Sequence, residues 1–132
     1  MARFYGIDEA NARLEELRPL LEQLRADRDA VAERQGELLK ARAGNGSDQH
    51  ALELRAREER LREIVRRMER AVARLEGWDV TLRDIPSGLI DFPALASGRP
   101  IWLCWRLGEG PIEWWHEQSD GFGGRRPLAE LS

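Results

Sequence analysis

The feature that most constrains this chain is a pair of apolar heptad series in its first 76 residues. One series recurs every seven positions from Ala10 to Leu38, and the other from Leu54 to Leu75. Such repeats place apolar side chains on one stripe of a helix. The two series are mirror images about residue 46, pairing position 38 with 54, 31 with 61, 24 with 68 and 17 with 75. This symmetry predicts two long antiparallel helices that meet in four apolar layers.

The first predicted helix runs from Asp8 to about Ala43. Asp8 suits the N-cap position, because its carboxylate can accept hydrogen bonds from the free amides of the first turn. Pro19 lies inside this helix, where it removes one backbone donor and crowds the preceding turn. We therefore expect a kink or a break near Pro19.

The second predicted helix runs from about Asp48 to Glu76 and follows a Gly-Asn-Gly-Ser turn at residues 44–47. Ser47 or Asp48 is expected to cap it. A helix of about 28 residues is about 42 Å long, which is more than a small sheet can cover. Since polar residues also interrupt the seam of the hairpin, we expect the chain to complete its burial by forming a homodimer through the two helices.

Charge and composition exclude several classes of function. The 21 basic residues nearly balance the 24 acidic ones, so the formal net charge of −3 creates no large field for nucleic acid or an anionic membrane. The arginines of the second helix alternate with glutamates, which indicates a solvated face and argues against nucleic-acid binding. No apolar run approaches the roughly 18 residues of a membrane span. Because the amino terminus also lacks a secretory signal and Cys104 is the only cysteine, we expect a cytoplasmic protein with no membrane association.

After Gly77 the apolar period changes from that of a helix to two, which predicts short antiparallel strands. Four strands in a meander are expected at about 80–85, 89–92, 101–107 and 112–117, with Pro93 ending the second. The glycine-rich tail at 119–127 is predicted to be a loop. The chain is therefore expected to be a single α+β domain over residues 1–132, with the helical hairpin at 8–76 and the sheet and tail at 78–128.

The third and fourth predicted strands contain four of the five tryptophans, the only cysteine and one of the two histidines. Strand alternation places the aliphatic residues and Trp105 on the face that we expect to pack against the helices. On the other face, pairing of the two strands sets Cys104 opposite Trp114 and Trp102 opposite His116. These four side chains are therefore expected to share the outer face of the sheet.

Five runs in the second half of the chain resemble one known family. They are Arg83-Asp84, Gly88–Pro93, Leu103–Glu109, Trp115–Glu117 and Gly121–Arg125. With them the whole chain resembles the uncharacterised bacterial family named domain of unknown function 2203, which has no established activity to transfer. The resemblance implies that the family's motif positions are occupied here by Cys104, Trp105, Gly108, Glu109, Trp115, His116 and Arg125.

Three kinds of site are compatible with these residues. Cys104 and His116 are competent zinc ligands, and Asp91, Glu117 or Asp120 could complete a tetrahedral set. The segment 121–126, Gly-Phe-Gly-Gly-Arg-Arg, could bind an anion through backbone amides and arginine. Cys104 could also act as a nucleophile with His116 as its base.

Plain packing competes with each of these interpretations. Each buried tryptophan hides about 150–250 Å², so a small sheet can stabilise itself against a helical hairpin with such rings alone. Because packing does not explain why several polar residues share one motif, a pocket for a small anionic ligand remains the sharper hypothesis. The expected ligand-binding residues are Trp102, Cys104, Glu109, Trp114, His116 and Arg125.

The sequence thus predicts a non-enzymatic binding or scaffold module that is homodimeric through its hairpin and holds neither cofactor nor metal. Asp91, Cys104 and His116 remain the candidates should a metal be present. The alternative is a small enzyme or a metal-dependent ligand sensor that uses Cys104, His116 and Arg125.

Overall fold

The computed structural model of the chain describes residues 3–44 and 46–131. Met1, Ala2, Asn45 and Ser132 lie outside the described residues, and with Asn45 falls part of the turn predicted at 44–47. The elements in chain order are α1 Ile7–Arg42, α2 Asp48–Gly77, β1 Thr81–Asp84, β2 Leu89–Ala96, β3 Arg99–Arg106, β4 Trp114–Glu117, a 3-10 turn Phe122–Gly124, β5 Arg126–Pro127 and a 3-10 turn Leu128–Glu130. The predicted α+β architecture, a long helical hairpin followed by a small antiparallel sheet, is confirmed.

The apolar layers of the hairpin are buried at the end that meets the sheet and are more open in the middle, although Leu38 near the tip is again buried. Leu17, Leu24 and Leu75 are each no more than 1% exposed, whereas Val31 and Leu61 are only partly buried. The sheet therefore covers the base of the hairpin and leaves much of its length to solvent. None of the helices in the described part of the chain is long and apolar enough to cross a membrane.

Of the N-caps predicted for the two helices, one is confirmed and one is wrong. Ser47 caps α2, accepting a hydrogen bond from the His50 amide at 3.1 Å. The N-cap of α1 is Gly6 and not Asp8, so the helix begins one residue earlier than predicted. There the Glu9 carboxylate accepts a hydrogen bond from the Gly6 amide at 3.3 Å, so one amide at the start of the helix has a side-chain partner.

The α1 helix runs without interruption through Pro19, so the break that was one of the two predicted outcomes does not occur. Leu17 and Leu21 flank the proline and are both buried in the same core. Burial of both flanking leucines against one surface outweighs the loss of a single backbone hydrogen bond.

The core lies between the inner face of the sheet and the base of the hairpin. Ile90 and Phe92 of β2 face this core together with Leu103 and Trp105 of β3. The Trp105 indole donates a hydrogen bond to the Gly110 carbonyl at 2.8 Å, which satisfies its polar atom. The predicted assignment of the aliphatic residues and Trp105 to the inner face is therefore correct.

The second strand continues past Pro93 to Ala96, four residues beyond the predicted end. The Tyr5 amide donates to the Pro93 carbonyl at 2.7 Å, so this carbonyl points away from β3. Since the nitrogen and carbonyl of one strand residue face the same side, the missing N–H of Pro93 removes no bond from the β2–β3 ladder.

The sheet has five strands in the order β1-β2-β3-β4-β5, one more than predicted. The fifth, Arg126–Pro127, lies in the tail that was predicted to be a loop, and it pairs with Trp114 and Trp115. The Trp115 indole donates to the Pro127 carbonyl at 3.1 Å. The free edge of β4 thus pairs with a segment whose high glycine content had predicted a loop.

Candidate functional site

Three buried ionisable side chains from three adjacent strands meet on the outer face of the sheet. Asp91 of β2 pairs with Cys104 of β3, and His116 of β4 lies two residues beyond Trp114, the partner of Cys104. Asp91, Cys104 and His116 are each no more than 2% exposed. One ligand atom from each lies within 4.8 Å of the others. The strand pairing predicted from sequence, Cys104 with Trp114 and Trp102 with His116, is confirmed.

The imidazole of His116 is held from both of its nitrogens. Its Nδ1 lies 2.8 Å from the carbonyl oxygen of Glu117, and its Nε2 lies 3.1 Å from each carboxylate oxygen of Asp91. A backbone carbonyl can only accept, so Nδ1 carries a proton. Nε2 then faces a carboxylate, and a proton or a cation is needed between these two groups.

The carboxylate of Asp91 has one further partner, Arg83. The Nε of Arg83 donates to Asp91 Oδ2 at 2.8 Å, and its guanidinium lies 5.0 Å from the centre of the Trp102 ring. The β1–β2 pairing is irregular between Leu82 and Asp84, with Arg83 at the bulge. Bulges redirect side chains, and here the arginine reaches across to the buried carboxylate.

Cys104 is not activated as a nucleophile. Burial, and to a smaller extent the nearby Asp91 carboxylate, raise the pKa of its thiol to about 12 against the opposing effect of Arg125. The thiol is therefore protonated at neutral pH, and His116 directs its nitrogens at Asp91 and Glu117. This arrangement favours a ligand or packing role for Cys104 over the nucleophile–base interpretation.

A cavity of about 220 Å³ opens above the three side chains. Its walls bring together one guanidinium, one further carboxylate and one amide with apolar groups. The lining residues are Arg83, Leu89, Asp91, Cys104, His116, Gln118, Asp120, Gly121 and Phe122.

Cys104 and His116 are the two members of the predicted ligand-binding set that line this cavity, among residues that are all described. Trp102 lies under Arg83 instead. Glu109, Trp114 and Arg125 form a neighbouring group, in which Arg125 Nη2 donates to Glu109 Oε1 at 2.7 Å. The Arg125 guanidinium also lies 5.0 Å from the centre of the Trp114 ring.

The Glu109 carboxylate fastens the loop between β3 and β4. Burial raises the pKa of Glu109, but the hydrogen bond from Arg125 and that from the Arg106 amide at 2.9 Å leave it lower than usual. Both partners favour the ionised carboxylate. Arg125 is thus engaged in an internal ion pair, which differs from the open anion grip expected from sequence.

Glu117 and Asp120, the other two carboxylates proposed as metal ligands, lie in different places. Glu117 turns away from the cluster and pairs with Arg99 at 2.7 Å, whereas Asp120 lines the cavity. The sequence did not assign Arg83 or Gln118 to a site, whereas Phe122 belongs to the segment 121–126 that was predicted to bind an anion. In the sequence, Arg83 stood out only as part of a run that resembles the family. The regular strand predicted at 80–85 gives no sign of the bulge that redirects the Arg83 side chain.

A second surface feature lies on the hairpin. In the α2 helix, all of whose residues are described, Leu75 is the one buried side chain. An open apolar groove of about 480 Å³ runs between the helices toward the sheet. It is lined by the apolar residues Leu24, Val31, Val65, Met68, Val72, Ala73 and Ile85, together with Glu69 and Glu76.

Comparison with known proteins identifies a family. A family model described as "Uncharacterized conserved protein (DUF2203)" matches residues 3–128. No curated protein and no solved structure matches the chain.

Proposed function

We propose that this chain, which belongs to the DUF2203 family of uncharacterized conserved proteins, is a binding module for a small polar ligand. The ligand occupies the cavity over Asp91, Cys104 and His116. The observation that carries the proposal is the convergence of these three buried ionisable groups at one cavity. Burial of such groups costs free energy, and clusters of this kind concentrate at functional sites.

The cavity suits a small ligand, and the anion expected from sequence, such as phosphate or a short carboxylate, would have to bind at Arg83, because the carboxylates of Asp91 and Asp120 also line the cavity. At about 220 Å³ it is smaller than the roughly 300–1,000 Å³ of pockets for drug-sized ligands. Arg83 offers a half-exposed guanidinium at the wall, and Gln118 adds an amide. Arginine binds oxyanions through paired N–H donors, so Arg83 is the residue on which an anion would depend most.

Thermal unfolding with added inorganic phosphate or acetate tests this proposal. A ligand that binds only the folded chain raises the free energy of unfolding by about 2.7 kcal/mol at one hundred times its Kd. Arg83→Gln should remove this stabilisation, and Arg99→Gln should keep it. Arg99 is a matched control, because it is a similarly exposed arginine that pairs with Glu117 away from the cavity. Equal losses in both variants, or no stabilisation of the unaltered chain, would reject the proposal.

We also propose that the chain works as a homodimer formed through the hairpin. The supporting observation is that α2 presents an apolar stripe of which Leu75 alone is buried among its described residues. Val65 is 37% exposed and lines the open groove with Met68. The helix carries eight arginines and seven acidic residues between 48 and 77, so two copies can approach without strong charge repulsion. A second copy is therefore the occupant that fits this groove.

Light scattering at micromolar concentration tests the dimer. The unaltered chain should show twice its mass of 15.2 kDa. Val65→Asp should shift the protein toward monomer, because it places a charge in the apolar contact. Leu52→Asp is the control, since Leu52 is exposed on a different face of the same helix. A monomeric unaltered chain, or a dimer whose mass is unchanged by Val65→Asp, would contradict this proposal.

A further inference from the structure

We propose that Asp91, Cys104 and His116 bind one divalent transition-metal ion, with Zn²⁺ as the best fit, and that the fourth coordination position opens into the cavity. This inference rests on the proposed function, because it identifies the chemistry at the floor of the same cavity. It goes beyond a pocket for an anion by assigning a metal and its three protein ligands.

The donor set suits zinc. Thiolate sulfur, imidazole nitrogen and carboxylate oxygen are its common protein ligands, and a mixed set of three with one open position is typical of reactive or ligand-binding zinc sites. Bond lengths of about 2.0–2.3 Å place tetrahedral ligand atoms about 3.3–3.7 Å apart. The His116 Nε2 and the Asp91 oxygens are 3.1 Å apart, close to that spacing, and the cluster as a whole lies within 4.8 Å.

The orientation of His116 is that of a metal ligand. Histidines that bind metals usually donate their other ring N–H to a carbonyl or carboxylate, which fixes the ring and its tautomer. Here Nδ1 donates to the Glu117 carbonyl at 2.8 Å, and Nε2 points at the Asp91 carboxylate. A metal ion between Nε2 and the carboxylate would bond to both groups and serve in place of a proton.

The charges balance when the ion binds. The Cys104 S–H bond breaks, a sulfur–metal bond forms and the thiol proton passes to the buffer, as does any proton held between His116 Nε2 and Asp91, so the site gains a thiolate. This thiolate and the Asp91 carboxylate together neutralise the two positive charges of the ion. Arg83 remains bonded to Asp91 Oδ2, which orients the carboxylate while Oδ1 stays available to the metal.

Cobalt(II) titration of the full chain after removal of metals with EDTA tests the site directly. Because Cys104 is the only cysteine, a thiolate-to-cobalt charge-transfer band can arise from this residue alone within the chain. We expect that band to saturate at one ion per chain, together with the intense visible bands of tetrahedral cobalt, and to disappear when Zn²⁺ is added. A chain that shows no charge-transfer band, or one that saturates at half an ion per chain, would overturn the assignment.

Variants separate this site from adventitious binding. Cys104→Ser should remove the charge-transfer band, and Asp91→Asn should weaken cobalt binding at least about tenfold. His50→Ala replaces the only other histidine and should leave both unchanged. Equal effects of Asp91→Asn and His50→Ala would reject the three-ligand set.

The outcome is distinguishable from that of the proposed function. Cobalt spectra report the metal without any anion, whereas thermal shifts with phosphate report the anion. If an EDTA-treated chain binds no cobalt but is stabilised by the anion, the proposed anion pocket is supported and the proposed metal site is rejected. If the chain binds cobalt but is not stabilised by phosphate or acetate, the metal site is supported and the anion pocket is rejected.

Discussion

Arg67 on α2 donates two hydrogen bonds, of 2.8 and 2.7 Å, to the carboxylate of Asp27 on α1, forty residues away in sequence. Asp27 is 3% exposed and occupies the polar position of the hairpin seam. Gln23 donates a third hydrogen bond to the same carboxylate at 2.8 Å. A polar residue that weakens the apolar stripe is therefore converted into a specific link between the helices, which helps to define their register.

Removal of Arg67 should destabilise the fold. Arg67→Ala leaves the buried Asp27 carboxylate with Gln23 as its remaining side-chain partner among the described contacts, and we expect a loss of about 2–3 kcal/mol in the free energy of unfolding. Arg66→Ala is the matched control, because Arg66 forms an exposed ion pair with Glu59, and its loss should cost less than about 1 kcal/mol. Urea unfolding monitored by circular dichroism measures both. Equal midpoints for the two variants would show that the buried pair contributes no more to stability than the exposed pair.

The same pair should make stability depend on pH. The hydrogen bond from Arg67 lowers the pKa of Asp27 and that from Gln23 adds to the effect, against the opposing influence of burial. Because the folded pKa lies below the unfolded one, the stabilisation is fully present above the ordinary aspartate pKa and is lost as the pH falls through the folded value. Urea midpoints of the unaltered chain should therefore fall more steeply with acid than those of Asp27→Asn. Parallel pH profiles would contradict this expectation.

Arg125 should be a structural residue of the sheet end. Its side chain is 11% exposed, pairs with Glu109 at 2.7 Å and lies 4.5 Å from the centre of the Phe122 ring. Arg125→Ala should cost at least about 1 kcal/mol more than Arg126→Ala, because it strands a partly buried carboxylate and removes the cation–π contacts with Phe122 and Trp114. Thermal unfolding of the two variants checks this order. Should Arg125→Ala leave stability unchanged, its ion pair would be dispensable and the residue would be free to serve a ligand.

Gly88 should resist substitution for two separable reasons. Its φ of +64° disfavours any side chain, and an added Cβ would lie 2.5 Å from Leu107 Cγ. Gly98 also has a positive φ, of +78°, but nothing lies within 4 Å of its added Cβ. Gly98→Ala should therefore cost about 1–2 kcal/mol from backbone strain alone, and Gly88→Ala should cost measurably more. Chemical denaturation of both variants tests the difference. Equal costs would mean that Leu107 moves aside freely.

Periodicity in the sequence was sufficient to predict the hairpin and the faces of the central strands. A seven-residue repeat selects one side of a helix, and the mirror symmetry about residue 46 requires no knowledge of the rest of the chain. Likewise, alternation in β3 and β4 sets Cys104 opposite Trp114 as soon as the two strands are joined by a short loop. Both inferences depend on local geometry, which the residues themselves largely determine.

Contacts between distant segments could not be read in the same way. The sequence offered Asp91, Glu117 and Asp120 equally as companions of Cys104 and His116, and only the folded sheet distinguishes them. The β2–β3 register brings Asp91 beside Cys104, whereas Glu117 pairs with Arg99. Which carboxylate reaches the cluster depends on the register of one strand against another, and a shift of one residue would reverse the faces.

The fates of Arg83 and Arg125 show most clearly what only the tertiary structure decided. Both are motif arginines with the same chemistry, and sequence reasoning placed Arg125 at the ligand. In the folded chain a bulge directs Arg83 to Asp91, while Glu109 and the Trp114 ring hold Arg125 beside the cavity. Local residue patterns determine helices, strands and their faces through the repeat of the backbone. The partner of a long flexible side chain is selected by all the charges and rings within its reach, which come together only when the sheet has formed.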